Sequence, residues 1–350
     1  MTELLWLVVE KLVFGVALLA GIMTFASYAT LAERKVASWM QDRIGPNRAG
    51  PLGLLQPLAD GIKFFTKEEM IPANVNKAFY IMAPAIAAIP PLMLAAAIPW
   101  GDKIVLLGKT FSLQMIDLNV GILYFFAFGG IGVYGVMIGG WASNNKYSLM
   151  GGLRASSQMI SYELAQGTAA VGILILAGTL SLRDIVLQQD TLTKWFVWRQ
   201  PIGFFFFFVA SLAECARMPF DLPEAENELV GGYHTEYSSM KFGLFQVSEY
   251  IHMTVASALI STLYFGGWQV PFISVENQPS IIVSLLGIAA LVVKTSFFVF
   301  VFMWLRWTLP RFRYDQLMRM GWKFLLEGAF AWVIITAILV LAWPFYTTWF

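Results

Sequence analysis

The chain has 350 residues, 58% of them hydrophobic and 13% charged, with a mean hydropathy of +0.67 and a formal net charge of +1. A composition this apolar excludes an ordinary soluble globule and defines a polytopic membrane protein. One cysteine, Cys215, rules out a disulfide framework or a four-thiolate cluster. Two histidines, His234 and His252, are too few for a two-haem path, so the chain is expected to carry no redox centre and no metal.

Runs of roughly 20 apolar residues occur at about 4–31, 78–99, 118–142, 157–180, 195–213, 243–268, 281–305 and 324–346. The expectation is an all-α protein of about eight transmembrane helices forming one integral membrane domain over 1–350. The first run is too long for a signal peptide, and no base precedes Lys11. The Glu10-Lys11 pair at its outer end reads as structural. Lys and Arg set the orientation. The connections 32–77, 143–156, 214–242 and 306–323 hold 16 of the 23 bases, and the opposite side, both termini included, holds 5. The basic connections therefore face the cytoplasm.

The first cytoplasmic loop, 32–77, opens on a basic, turn-rich stretch from Glu33 to Arg48. Leu54, Leu55, Leu58, Ile62 and Phe65 then share a helical face, with Gln56, Asp60, Lys63 and Lys67 opposite. That pattern predicts a short amphipathic helix in the membrane interface, with Pro57 tolerated in its first turn. Such a helix either roofs a lateral opening for a lipid-soluble ligand or only anchors the loop.

In the third run, Gly130-Ile-Gly132-Val-Tyr-Gly135 has dinucleotide-fingerprint spacing but lacks the preceding strand. It overlaps Gly135-x-x-x-Gly139, a helix-packing motif, and is read as such. The fourth run carries Glu163 within two turns of its cytoplasmic end, where a carboxylate is costly enough to mark an ion or proton path. The strictly apolar part of the fifth, Pro201 to Ala213, covers roughly 20 Å of a 30 Å core. Either it recruits Trp195 to Gln200, or it ends at membrane depth and takes Glu214 with it. Phe204 to Phe208 read as a packed or lipid-facing surface.

Between Glu214 and Tyr250 stand seven carboxylates (Glu214, Asp221, Glu224, Glu226, Glu228, Glu236, Glu249) against Arg217 and Lys241. Acids this close and partly desolvated raise one another's pKa and exchange protons as a group. The acidic cytoplasmic loop 214–242 is therefore read as a proton relay rather than a solvated charge run. Lys294, mid-span in the seventh run, is either a relay partner or the packing partner of a carboxylate. Arg306 to Gln316 is either a positive-inside stop or a docking site for a soluble protein of the same assembly.

Several ordered motifs resemble one family over nearly the whole chain: Glu33-Arg-Lys; Gln41-x-Arg-x-Gly-Pro-Asn-Arg48; Gly53-Leu-Leu-Gln-Pro-x-Ala-Asp60; Glu214-x-x-Arg217-x-Pro-Phe-Asp-Leu-Pro-Glu-Ala-Glu226; Glu236-Tyr-Ser-x-Met-Lys-Phe242; and Pro310-Arg-Phe-Arg-Tyr-Asp-Gln316. They resemble the H subunit of proton-pumping NADH:quinone oxidoreductase, respiratory complex I. The resemblance implies a membrane subunit that lines the quinone chamber and couples quinone reduction to proton translocation. Quinone is then the substrate, FMN and iron–sulfur clusters sit in partner subunits, and the partners are other membrane-arm subunits, quinone-site peripheral-arm subunits and membrane lipid, with no nucleic acid. It assigns Glu163, Glu214 and Glu249 to a carboxylate passage, and Asp221, Glu224, Glu226 and Glu228 to the loop facing the chamber. Glu33, Arg34, Arg43, Arg48, Lys63 and Phe65 fall on the segment bordering the chamber and its entrance. It places the protein in the bacterial plasma membrane with both termini periplasmic, the mitochondrial inner membrane being the alternative. Met218 departs from the family's usual small residue and Glu327 from its usual proline. A membrane anchor for a hydrogenase-like or formate-oxidising complex is the alternative function. A secondary antiporter is a further one, although no repeated half with paired broken helices is evident.

Overall fold

The computed structural model describes residues 2–106, 109–223, 226–271 and 281–342. Its helices in chain order are α1 (Thr2–Met40), α2 (Gln56–Thr66), α3 (Lys77–Ala97), α4 (Gly121–Ala142), α5 (Lys146–Ala177), α6 (Leu182–Leu187), α7 (Phe196–Arg199), α8 (Pro201–Glu214), α9 (Glu226–Leu229), α10 (Ser239–Tyr264), α11 (Ile281–Thr308), α12 (Tyr314–Arg319) and α13 (Glu327–Ala342). A π-helical stretch, Met320–Leu326, joins α12 to α13. Among the described residues the only sheet is a small antiparallel hairpin, β1 (Lys103–Leu106) and β2 (Lys109–Ser112), with Lys103 opposite Ser112.

This is an all-α membrane protein. Six stretches are long and apolar enough to cross a bilayer: Val9–Met40, Lys77–Ala97, Gly121–Ala142, Lys146–Ala177, Ile281–Thr308 and Tyr314–Ala342. They account for six of the eight expected segments, and the other two differ for separate reasons. Helix α8 has only 14 residues, because the chain breaks at Gln200. Helix α10 is long but polar, and every residue from Tyr250 to Tyr264 is buried. A helix enclosed by other helices meets side chains instead of lipid, so it tolerates hydroxyls. Those of Thr254, Ser257, Ser261 and Thr262 each bond the carbonyl four residues back.

Helices α1, α3 and α11 pack against α10, and α4 and α5 join the bundle through small residues. A Cβ at Gly135 of α4 would run into the Ala87 backbone of α3, and one at Gly151 of α5 would meet Tyr233 N at 2.6 Å. Such contacts hold membrane helices together where no hydrophobic driving force between them exists. They also carry α5 back to Lys146, eleven residues before the expected start. Glu163 consequently lies about 25 Å along its helix rather than within two turns of the end.

Prolines in α3 supply its links to α10. Pro84 and Pro91 lack the N–H that would bond the carbonyl four residues earlier. The carbonyl left open by Pro84, Tyr80 O, accepts from the Tyr237 hydroxyl at 3.3 Å. The one left open by Pro91, Ala87 O, accepts from Ser248 Oγ at 2.8 Å. Tyr80 and Tyr237 stack at 4.3 Å, and burial pushes the Tyr237 hydroxyl pKa up, so it remains a donor. The other end of α10 is closed by two buried groups. Gln189 donates to Thr262 O and Leu263 O, and Lys294 of α11 donates to Phe265 O, Gly267 O and Gln269 O at 2.7–2.9 Å. Lys294 also lies 4.7 Å from the Trp195 ring. Among the described residues the groups it binds are carbonyls and a ring face, which make it a cationic helix cap.

Helix α2 is amphipathic as expected, with Leu58, Ile62 and Phe65 exposed on its apolar face. Leu54 and Leu55 precede it in a turn. It is fastened to the start of α10 by Ser239 Oγ, which donates to Phe64 O and Lys67 O at 2.9 Å, by Ser238 Oγ, which accepts from Met70 N, and by a Lys241–Glu69 ion pair.

Candidate functional site

Glu214 is the last residue of α8, and its position is set from α5. Gln158 donates to Ala213 O and Phe220 O at 2.7 and 2.6 Å, and Gln166 donates to Ser211 Oγ at 2.8 Å. Glu214 is buried, which favours the reading in which α8 ends early and takes the carboxylate inside. The chain then turns through Ala216, at a φ of 50°, in the left-handed conformation usual after a helix C-terminus. That turn aims Arg217 back into the protein.

Arg217 is the hinge of the cluster. Its side chain is 5% exposed and lies 3.5 Å from Glu33 Oε2 of α1 and 3.6 Å from Glu249 Oε2 of α10. Its guanidinium sits 4.2 Å from the Tyr250 ring centroid. Glu33 is also buried. It accepts from the Tyr250 hydroxyl at 2.8 Å and pairs with Arg306 of α11. Glu249 accepts from the Tyr233 hydroxyl at 3.0 Å. Two acids, two guanidiniums and two tyrosines from three helices and the loop are thus joined in one largely buried network.

The network separates two cavities. One, about 680 Å³ and open, is lined by Glu33, Arg34, Arg43, Gln246, Tyr250 and Arg306. The other, about 50 Å³, is lined by Glu214, Glu249, His252, Tyr233 and Pro91, among others. Neighbouring residues of α10, Glu249 and Tyr250, face the small and the large cavity respectively. In the small one, His252 Nε2 stands 3.4 Å from Glu214 Oε1 without hydrogen-bond alignment, and Glu214 Oε2 has no hydrogen-bond partner among the described residues. A space of this size has room for about three waters, with Glu214, Glu249, His252 and Tyr233 as polar partners in a wall that is otherwise mostly apolar.

Beyond Glu214, the glycines of α4 open a passage to α5. A Cβ at Gly129 would lie 3.6 Å from Glu214 Oε1 and 3.9 Å from Glu163 Oε1, and one at Gly130 would lie 3.2 Å from Glu163 Oε1. Both carboxylates therefore converge on one turn of α4 that has no side chains to obstruct them. Glu163 itself is half-buried, with exposed Ile160 and Leu164 beside it.

The other predicted residues fall elsewhere. Asp221 is buried but pairs with Arg311, at 3.8 Å. Glu228 is exposed and bonds Arg154 at 2.5 Å. Glu224 and the side chain of Glu226 lie outside the described residues. Arg34 binds Asp60 at 2.8 Å, tying α1 to α2, and Lys63 lies 3.6 Å from the same carboxylate. Arg48 and Phe65 are exposed. Arg217, Tyr250, His252 and Arg306 are the members of the track that sequence reasoning did not assign. Each of Arg217 and His252 follows a passage acid by three residues; for His252 on α10 that is one helical turn, and the spacing was the available signal.

The fold and the network together define an integral all-α membrane protein that carries ionisable side chains inside its helical bundle, where such groups mark a functional site. The NADH dehydrogenase family profile matches residues 13–337. The H 1 subunit of NADH-quinone oxidoreductase from Cytophaga hutchinsonii is 54% identical over 332 residues, covering 95% of this chain and 97% of that protein. The H subunit from Flavobacterium johnsoniae is 51% identical, covering 95% and 96%, and the H 2 subunit from Geobacter sulfurreducens is 50% identical, covering 90% and 92%. The chain belongs to the H-subunit family of NADH-quinone oxidoreductases.

Proposed function

We propose that this chain, in a bacterial plasma membrane, forms part of the quinone site of its complex and passes the charge change of quinone reduction to proton-moving neighbours. The observation that carries this reading is the ion-pair chain from the open cavity through Glu33 and Arg217 to Glu249, continued across the small cavity to Glu214 and past Gly129 to Glu163. The open cavity, lined by charged side chains and tied to the amphipathic helix α2 through the Arg34–Asp60 pair, suits a polar head on a lipid-soluble tail. Reduction of a quinone by two electrons takes up two protons, so the charge balance beside Glu33 and Arg306 changes at each turnover. Arg217 bridges Glu33 and Glu249, and a shift of its pairing toward one acid weakens its hold on the other. That favours proton uptake at the acid it leaves, and Glu214 and Glu163 relay the change outward past Gly129 and Gly130. FMN and iron–sulfur clusters are assigned to peripheral-arm partners, since this chain offers one cysteine and two histidines. Half-buried Glu163 faces a neighbouring membrane-arm protein.

The test uses the intact complex in sealed vesicles. Glu163→Gln and Glu214→Gln keep shape but remove the titrating proton, so assembly on native gels should persist while NADH-driven quinone reduction and vesicle acidification fall together, by about 10-fold or more. Full activity and full acidification in both variants would make these acids structural.

A further inference from the structure

Helix α1 separates two apolar cavities that the carboxylate track does not use. One, about 350 Å³, lies toward α11, with Phe14, Gly21, Phe25, Leu113, Ile288 and Val292 in its wall. The other, about 380 Å³, lies toward α3, with Leu12, Val16, Leu19, Met93, Met115 and Ile116 in its wall. Leu18 belongs to both. Lys11 stands one residue before Leu12 of one cavity and one turn before Phe14 of the other. Its ammonium donates to Gln114 O at 2.8 Å, and Gln114 is the residue between Leu113 of one cavity and Met115 of the other. An ammonium has three donors, and the bond to Gln114 O uses one of them.

The depth fits a leaflet. Lys11 and Glu33 are 22 positions apart on one helix, about 33 Å, close to the thickness of a bilayer core. With Glu33 near one interface, Lys11 lies at the other. Phe14 to Phe25 then extends about 16 Å inward, half of the core. Val13, Val16 and Leu19 on α1 and Val293 on α11 are exposed beside the cavities, so both open to what surrounds the spans. Glu10, the neighbour of Lys11, adds an acid at the same level.

We propose that a single diacyl phospholipid straddles α1, with one acyl chain in each cavity, its phosphate on Lys11 and the amine of a zwitterionic headgroup on Glu10. A transmembrane helix of a partner lying over α1 would close both cavities to lipid and leave them without phospholipid label. A single-tailed quinone fills one cavity and leaves Lys11 without its phosphate. Two volumes in the range of ligand sites, one helix between them and one cation match two chains on one phosphate.

The assay is photolabelling of the complete complex in nanodiscs, using phosphatidylethanolamine with a diazirine at mid-chain and peptide mapping by mass spectrometry. Label is expected at Phe14–Phe25 and Ile288–Val292 from one chain, and at Met93 and Met115 from the other. Gly21→Phe fills the α11-side cavity, since a Cβ at Gly21 meets nothing within 4 Å. It should abolish label on that side while label at Met93 and Met115 remains. Lys11→Met should lower label on both sides together by roughly fivefold, what one lysine contributes toward phosphate at a membrane surface. Three outcomes overturn the proposal: label spread evenly over the exposed faces of α1, α11 and α13; label unchanged in Lys11→Met; or phospholipid label displaced from both cavities by an alkyl-quinone analogue. Assembly of each variant is checked on native gels, and Lys11→Met, which alters no packed apolar contact, carries the test should Gly21→Phe fail to assemble.

Discussion

Glu33 shows how burial changes what one carboxylate contributes. Its side chain is 6% exposed and stands between Arg217 and Arg306, whereas Glu228, paired with Arg154, is 51% exposed. Removing one partner from a buried ion network leaves charge uncompensated in a low dielectric, at a cost of about 3–5 kcal/mol, while an exposed pair contributes about 0–1 kcal/mol. Glu33→Gln is therefore expected to lower the melting temperature of the purified complex by several degrees, with Glu228→Gln nearly silent in the same scan. Equal effects would mean that Glu33 is solvated in the assembly. Glu33 was legible in the sequence through the family motif that opens at it. Its partners were not, because Arg217, Tyr250 and Arg306 lie 184 or more positions away and no periodicity links them.

At the scale of elements, the spans were legible where an apolar run meets lipid and obscure where it does not. The runs behind α3, α4 and α11 gave boundaries close to those observed. Helix α5 was placed too short because Arg154 and the serines after Lys146 interrupt the apolar pattern, yet they pack on α4 and the loop. The sequence shows prolines inside the run behind α3, and only the fold shows that Pro84 and Pro91 free carbonyls for Tyr237 and for Ser248 of α10. That relation can be measured with a double-mutant cycle. Ser248→Ala strands the buried Ala87 carbonyl, at about 1–3 kcal/mol. Pro91→Ala returns an N–H to the same carbonyl, so in its background Ser248→Ala should cost less than half as much, read from thermal inactivation of the assembled complex. Additive losses would show that the two groups do not share that acceptor.

For the molecule as a whole, the carboxylate track gains its direction from the sidedness of the chain, for which the 16-to-5 asymmetry of Lys and Arg is the guide. The structure keeps the two sets of connections apart. Glu33, Arg306, Lys241 and α2 gather at one end of the bundle, while the hairpin β1–β2, Asp102 and Arg183 with their ion pair of 2.8 Å, and Lys194 gather at the other. The chain is also suited to the measurement, because its single cysteine, Cys215, is buried and gives little background. Cysteines placed at Glu68, just beyond α2, and at Thr193, between α6 and α7, occupy exposed positions on the two ends. With an impermeant maleimide, Glu68→Cys is expected to label only in inverted vesicles and Thr193→Cys only in right-side-out spheroplasts. The opposite pattern would invert the protein, place the open cavity and Glu33 on the periplasmic side, and separate the proposed quinone site from cytoplasmic NADH. Labelling of both positions from one side would instead mean that the helices do not cross as the base asymmetry requires, and the relay from Glu33 to Glu163 would then lose its direction across the membrane.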